Sequence, residues 1–178
     1  MTIEPVQRIL ASIGAPYALI GAHAMAARGY PRFTVDIDLL TTDSRVLDRS
    51  VWIEIEHQGA IVDPRRGDQD DPLAGVVHIV LADQSDIDIV VGKWRWEAMV
   101  VERAETMVVA GVQLAVPRTS DLILLKLAAG GYLDLHDAAA LLALGDRATL
   151  IREVDATIGE VYPNVDELWR ELRSAIPR

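Results

Sequence analysis

The stretch at residues 34–40, Thr-Val-Asp-Ile-Asp-Leu-Leu, places two carboxylates two positions apart within an apolar, β-branched run. Because side chains alternate between the two faces of a β-strand, we expect Asp36 and Asp38 on one face. Like charges side by side on a strand repel each other, and a divalent cation is the simplest partner that turns this repulsion into binding. The positions between and beside them are expected to face a core: Val35, Ile37 and Leu39.

The composition limits the class of protein. The chain has 178 residues, of which 51% are hydrophobic, enough for one ordinary domain with a core. The absence of cysteine excludes disulfides and thiolate metal sites and is compatible with the cytoplasm, where we expect the protein. We expect neither a signal peptide nor a membrane span, because the amino terminus is not basic and apolar runs are short. The net charge of −10 disfavours non-specific nucleic-acid binding.

Hydrophobic periodicity and turn residues predict a small α/β core with a mixed sheet, followed by helices. We therefore expect a core at residues 1–116 and a carboxy-terminal helical region at residues 117–178 that packs on it. Within the core, the carboxylate strand is predicted over 33–40, a helix over 44–57, a charged loop over 63–71, strands over 76–81 and 86–91, and a hairpin around Ala110-Gly111. Later helices are predicted over 119–129, 134–144, 147–158 and 165–176.

Three separate segments are able to form one metal-dependent phosphate site. Gly21 follows a predicted strand and opens a helix, so its backbone can approach a phosphate. Asp88 on a later strand, or else Asp86, supplies a third carboxylate that can bind a metal or accept a proton. The alternatives are a solvated carboxylate pair at a strand end and an aspartate that caps the turn at 83–86.

These residues resemble the motif of the nucleotidyltransferase superfamily, in which Gly-Gly or Gly-Ser precedes Asp-x-Asp and a separate Asp. Across residues 17–38 the chain is most similar to the AbiEii-type nucleotidyltransferase toxins of type IV toxin–antitoxin systems. The resemblance implies the nucleotidyltransferase fold of DNA polymerase β, a small mixed sheet flanked by helices with a carboxy-terminal helical region. The matching positions are Gly21, Ala24, Gly29, Arg32, Thr34, Asp36 and Asp38.

The resemblance also implies an activity: transfer of a nucleoside monophosphate from a nucleoside triphosphate to an acceptor hydroxyl, with release of pyrophosphate. Asp36, Asp38 and Asp88 would be the catalytic residues and would bind Mg²⁺ or Mn²⁺. The acceptor would be RNA such as tRNA, a protein or a small molecule, and an antitoxin protein would be a partner. The residues implied to bind the nucleotide are Gly21, Ala22, His23, Arg32, Thr34 and Lys126.

A second similarity to the family lies in the predicted helix at 117–129 and in the following Asp-Leu-His-Asp at 134–137. Lys126 is a single cation in an apolar helix, and burial without a partner is costly, so it should reach an acid or a phosphate. Asp134 and Asp137 share one helix face and could pair with it. The resemblance implies that all three line the far wall of the cleft, and the alternative is an ion pair that docks two helices.

The chain departs from the family pattern at two places. Ala22 stands where the family has Gly or Ser, and the family's Arg before Asp134 is absent. Two further functions therefore stay open: a nucleotide-binding or partner-binding protein without chemistry, and a metal-dependent phosphodiesterase or nuclease. Arg32 could also be a surface residue that offsets the acidic pair. We expect His78 to be structural or solvent-facing.

Overall fold

A mixed five-stranded sheet forms the centre of the fold. The computed structural model describes residues 2–32 and 34–175. The strand order is β1-β2-β5-β4-β3, in which β2 and β5 are parallel and the other neighbours are antiparallel. The strands are β1 (Ala18–Leu19), β2 (Ile37–Thr41), β3 (Ile61–Arg66), β4 (Gly75–Val80) and β5 (Asp86–Val91), and β6 (Glu105–Val109) with β7 (Val112–Val116) forms a separate hairpin. The predicted mixed sheet and hairpin are confirmed.

The described residues contain eight α-helices. They are α1 (Glu4–Ser12), α2 (Gly21–Ala27), α3 (Ile53–His57), α4 (Arg95–Glu102), α5 (Thr119–Ala129), α6 (Tyr132–Leu144), α7 (Arg147–Asp155) and α8 (Asp166–Ala175). Helices α2 and α4 contact β2, and α5 contacts α2, α6 and α7. Helix α5 has the predicted bounds and ends at Gly130, whose left-handed backbone (φ +67°) closes the helix. None of the described helices combines the length and the hydropathy that crossing a bilayer requires.

Strand β2 begins later than the sequence predicts. The Thr34 hydroxyl accepts a hydrogen bond from the Asp36 amide (3.2 Å), and such a local turn competes with the pairing of a strand. The strand therefore starts at Ile37, and the predicted position of Phe33 lies outside the described residues. The prediction that Val35 faces the core is wrong, because its side chain is 70% exposed.

The central strands have one apolar face and one polar face. Buried and half-buried positions alternate along β4 and β5, as the two-residue period of a strand requires. The buried positions of β2, β4 and β5 include Ile37, Leu39, Val77, Ile79, Ile87 and Ile89. The half-buried positions of the opposite face carry Asp38, His78, Asp86 and Asp88. This polar face is where the predicted site lies.

Two further predicted segments of the core differ from the structure in type of element. Residues 44–57 form two 3₁₀ turns before the short α3, because the side chains of Asp43 and Asp48 each accept a backbone hydrogen bond and favour a turn. The predicted charged loop at 63–71 begins instead as β3, which pairs with β4 along its whole length. The loop that remains covers residues 67–74.

The helices that follow Val116 pack on the sheet through one apolar cluster, to which strands and helices both contribute. A buried ion pair also crosses the expected boundary, since Arg103 donates to the Asp121 carboxylate at 2.5 Å and the Asp121 side chain is 3% exposed. Arg28 of the core further donates to the carbonyls of Val116 and Pro117. The division of the chain at residue 116 stays a prediction.

We predict that Asp121→Ala lowers the free energy of unfolding by about 2–3 kcal/mol, because it leaves the Arg103 guanidinium without its acid. Urea denaturation followed by circular dichroism measures this change. The double variant Asp121→Leu/Arg103→Met should recover most of the loss, since neither charge is then left unpaired. A single variant as stable as the wild type would contradict the importance of this ion pair.

Candidate active site

Strand register brings three polar side chains into a row. Asp38 of β2 is the Cα partner of Asp88 on the parallel strand β5. On the other side of β5, His78 of β4 is the Cα partner of the same Asp88. Asp86 lies on the same face, two residues before Asp88, and Asp36 is exposed just before β2. The polar face therefore gathers four carboxylates and one imidazole.

Within this row, the carboxylate with the clearly raised pKa is that of Asp38. Burial, together with the negative charges of Asp88 and Asp36, raises the pKa of Asp38 from 3.8 to about 6. The Lys126 ammonium opposes this shift. No side chain or amide among the described residues forms a hydrogen bond or ion pair with the Asp38 carboxylate. Among these residues, Lys126 compensates its charge at longer range.

Gly21 permits the close approach of α2 to Asp38. Its φ of +63° is a conformation that L side chains rarely adopt. A Cβ at this position would overlap the Asp38 carboxylate. The Ile20 amide donates to the Asp38 carbonyl at 2.8 Å and fixes the start of α2 against β2. The structure therefore places the predicted glycine directly on the predicted carboxylate.

Three other predicted nucleotide-binding residues lie around this contact. The Ala22 side chain is buried. His23 is half-buried; burial lowers the pKa of His23, and the nearby charge of Asp36 opposes this effect. Thr34 holds the backbone of Asp36. His23 and Thr34 are thus close to Asp36.

Arg32 and Lys126 take part in one ion-pair cluster. The Lys126 Nζ lies 2.8 Å from Asp134 Oδ1 and 3.0 Å from Asp137 Oδ2. Arg32 donates to the same Asp137 oxygen. The Asp137 side chain is only 2% exposed, so two cations compensate one buried carboxylate. The cluster joins α5 to α6 and to the loop before β2. It includes the ion pair between two helices that the sequence analysis gave as the alternative role of Lys126.

Two cavities border the carboxylate row. The first has a volume of about 370 Å³, and its polar lining includes Gly21, Asp38, Glu97, Lys126 and Asp134. Much of its remaining wall is apolar, with Trp96, Leu122, Leu125 and Tyr162 among its members. The second has a volume of about 650 Å³, and its lining includes His78, Asp88, Arg65 and Arg66. Pro72 and Leu73 of the 67–74 loop line both cavities.

The structure places His78 beside Asp86 and Asp88, although we expected it to be structural or solvent-facing. Its Nδ1 lies 2.9 Å from Asp88 Oδ1 and 3.3 Å from Asp86 Oδ1. The hydrogen bond with Asp88 raises the pKa of His78. The turn at 81–85 could have predicted this position. If β4 and β5 pair on either side of this turn, residue 80 lies opposite Asp86 and His78 lies opposite Asp88.

The predicted metal site of Asp36, Asp38 and Asp88 stays a prediction. Within the described ranges, the group of three acidic or histidine side chains whose ligand atoms lie within 4.8 Å of one another is His78, Asp86 and Asp88. Asp36, Asp38 and Asp88 form no such group, since Asp36 stands outside the strand that orients Asp38.

Comparison with known proteins identifies the fold. No family model matches the sequence, and no curated protein matches it. The chain is similar to the solution structure of the antibiotic-resistance factor ANT(2'')-Ia, with 15% identity over 95% of each chain and a TM-score of 0.58. It is also similar to the lincosamide antibiotic adenylyltransferase LnuA (10% identity, 82% of this chain and 99% of that chain, TM-score 0.48) and to a nucleotidyltransferase-like protein of Paracoccidioides brasiliensis (17%, 97% and 83%, 0.47). The structural neighbours are nucleotidyltransferase-fold proteins, and the predicted fold class is confirmed.

We predict that Asp38→Asn stabilises the metal-free protein at pH 7.5 by about 1–2 kcal/mol, because it removes a carboxylate whose ionisation the fold opposes. The pKa of Asp38 is about 6 in the fold against an ordinary value of 3.8, so the loss of stability develops between these two pH values and is complete above pH 6. The gain should therefore shrink as the pH falls to 5. Scanning calorimetry in a chelator measures both effects.

The exposed Asp36→Asn is the matched control and should give a smaller gain. Added Mg²⁺ should stabilise the wild type more than Asp38→Asn, because the variant has lost one anionic oxygen donor. An Asp38→Asn variant that is less stable than the wild type at pH 7.5 would contradict this account of the carboxylate row.

Proposed function

We propose that this protein is a metal-dependent nucleotidyltransferase, which moves a nucleoside monophosphate from a nucleoside triphosphate to an acceptor hydroxyl and releases pyrophosphate. The observation that supports this most directly is the Asp38–Asp88 pair on two parallel strands, with Asp38 against the Gly21 turn. The pair occurs in a chain with the nucleotidyltransferase fold.

The carboxylate row fits a divalent cation. Asp38 and Asp88 offer oxygen donors, which are the ligands that Mg²⁺ and Mn²⁺ prefer, on two strands that hold them side by side. Asp36 would add a third donor from the loop before β2. Bound there, the cation would activate the attacking hydroxyl and neutralise the leaving phosphates. Asp88 is proposed as a ligand or as the base that accepts the hydroxyl proton.

The 370 Å³ cavity suits the nucleoside triphosphate. Gly21 and Ala22 lie at the start of α2, where backbone amides have no partner within the helix and can donate to phosphate. Lys126 supplies positive charge to the same cavity, and Asp134 and Asp137 hold its ammonium in place. The apolar wall suits the base and the ribose.

We further propose that Arg32 contributes to the phosphate side of this site. The Arg32 guanidinium would leave the Asp137 carboxylate and bind a phosphate oxygen instead. The positive charge of Arg32 would therefore stay paired with an anion. Thr34 and His23 lie near Asp36 and would contact the triphosphate from the same side.

The 650 Å³ cavity suits the acceptor, because His78 and Asp88 stand in its wall. Arg65 and Arg66 are exposed cations in its lining, although the chain as a whole is acidic. Asp63 and Asp71 share this lining, and Asp63 pairs with Arg65 at 2.7 Å, so the charge of the cavity favours no one acceptor class. RNA, a protein hydroxyl and a small molecule all stay within the proposal.

The finer assignment to AbiEii-type toxins is also a proposal, supported by the motif across residues 17–38. It brings with it an antitoxin protein as partner and a cytoplasmic location, with which the absence of cysteine is compatible.

Incubation of the protein with each radiolabelled nucleoside triphosphate, Mg²⁺ or Mn²⁺, and a pool of RNA and protein tests the proposed function. We predict transfer of label to one acceptor class, and a loss of at least about 100-fold in Asp36→Ala/Asp38→Ala, since charge stabilisation at a transferring phosphate is worth that much.

Glu54→Gln on the exposed side of α3 is the matched control for loss of an acidic side chain and should keep full activity. Undiminished labelling in the Asp36→Ala/Asp38→Ala variant would contradict the proposed site.

A nucleotide-binding protein without chemistry is the second candidate function. The specific observation in its favour is that Arg32 and Lys126 are both engaged with Asp137. It predicts that calorimetry with a nucleoside triphosphate and Mg²⁺ detects binding while no label is transferred with either metal.

A further inference from the structure

His78, Asp86 and Asp88 place one nitrogen and two oxygens at the separations that ligands of a single ion require. Metal–ligand bonds of about 2.1 Å at right angles put neighbouring ligand atoms about 3 Å apart. The Nδ1 of His78 lies 2.9 Å from Asp88 Oδ1 and 3.3 Å from Asp86 Oδ1. All three ligand atoms lie within 4.8 Å of one another.

The sheet holds these ligands in place. His78 is on β4 opposite Asp88 on β5, and Asp86 is on the same face of β5, so the backbone pairing of two antiparallel strands fixes their spacing. Ligands on strands are positioned more accurately than ligands on loops.

One oxygen of the cluster is only weakly compensated. Asp86 Oδ1 is shielded from solvent and forms no hydrogen bond within the described part of the chain; its contact is the His78 Nδ1 at 3.3 Å, which already bonds Asp88. A buried carboxylate oxygen of this kind is costly unless something else satisfies it, and a cation would do so. His78 and Asp88 both line the 650 Å³ cavity, which gives an ion a path to the cluster.

We propose that His78, Asp86 and Asp88 bind a transition-metal ion at a site of its own, next to the Asp36–Asp38 segment. The imidazole ligand favours ions such as Mn²⁺, Fe²⁺ and Zn²⁺ over Mg²⁺, which prefers oxygen ligands alone. Asp88 lies between the two positions and has an oxygen for each. The proposal follows from the register of β4 and β5 and does not depend on nucleotidyl transfer.

Pulsed electron paramagnetic resonance of the full chain with Mn²⁺ as the probe tests this site. The metal-free protein is titrated with Mn²⁺ to saturation, and the spectra are searched for coupling of the ion to a histidine nitrogen. We expect the coupling in the wild type, its loss in His78→Gln, and its retention in His57→Gln, which changes an exposed histidine of α3.

The same spectra separate this site from the Asp36–Asp38 segment. The nitrogen coupling should persist in Asp36→Asn/Asp38→Asn. Its loss there would show that a single site includes all these residues and would overturn the separate site. Absence of coupling in the wild type at every loading, or its persistence in His78→Gln, would overturn the proposal whatever the stability of the variants.

Calorimetry supplies a second readout. Asp86→Asn should weaken Mn²⁺ binding at the histidine-bearing site about tenfold or more, because it removes one anionic ligand. Unchanged affinity would remove Asp86 from the site and overturn the three-ligand proposal. If the transfer assay gives no product while the nitrogen coupling is intact, the proposed function is contradicted and the metal site is still supported.

Discussion

The repulsion between Asp38 and Asp88 is the constraint around which the active-site region is arranged. Two parallel strands hold the carboxylates side by side, and their half-buried position raises the pKa of Asp38 to about 6. The fold sustains this arrangement through the apolar opposite face of the same strands, where the neighbouring side chains are fully buried. Hydrophobic burial on one face of the sheet thus offsets the repulsion between carboxylates on the other face. A bound cation would relieve this repulsion.

A second constraint connects this row to the helices. Asp137 is buried in α6 and accepts contacts from both Arg32 and Lys126, so the loop before β2 and helix α5 converge on one carboxylate. The two cations are thus held in place by carboxylates of the fold; Lys126 is mostly buried, and Arg32 is more exposed. A phosphate would replace one anion by another, which lowers the cost of organising the site on binding.

The parts of the site that follow from local sequence could be predicted. The two-residue period of a strand predicts that Asp38 faces away from the buried Ile37 and Leu39. A glycine between a strand and a helix predicts a close approach of the backbone, which the structure shows between Gly21 and Asp38. Helical spacing predicted acids near Lys126. The start of β2 was predicted wrongly because the Thr34 side chain forms a turn. The contact of Arg32 with Asp137 joins residues 105 positions apart. The position of His78 depends on the register of the β4–β5 hairpin, which has to be counted outward from the turn at 81–85 and does not follow from the pattern of either strand alone.

The most direct test of the central claim is the location of bound metal when nucleotide is present. Crystals grown with Mn²⁺ and a non-hydrolysable nucleoside triphosphate, measured at the manganese absorption edge, show the ion by its anomalous scattering. Our account predicts a peak between the carboxylates of Asp38 and Asp88, with the triphosphate beside Gly21 and Lys126. A nucleotide bound elsewhere, with no anomalous peak at Asp38, would contradict it.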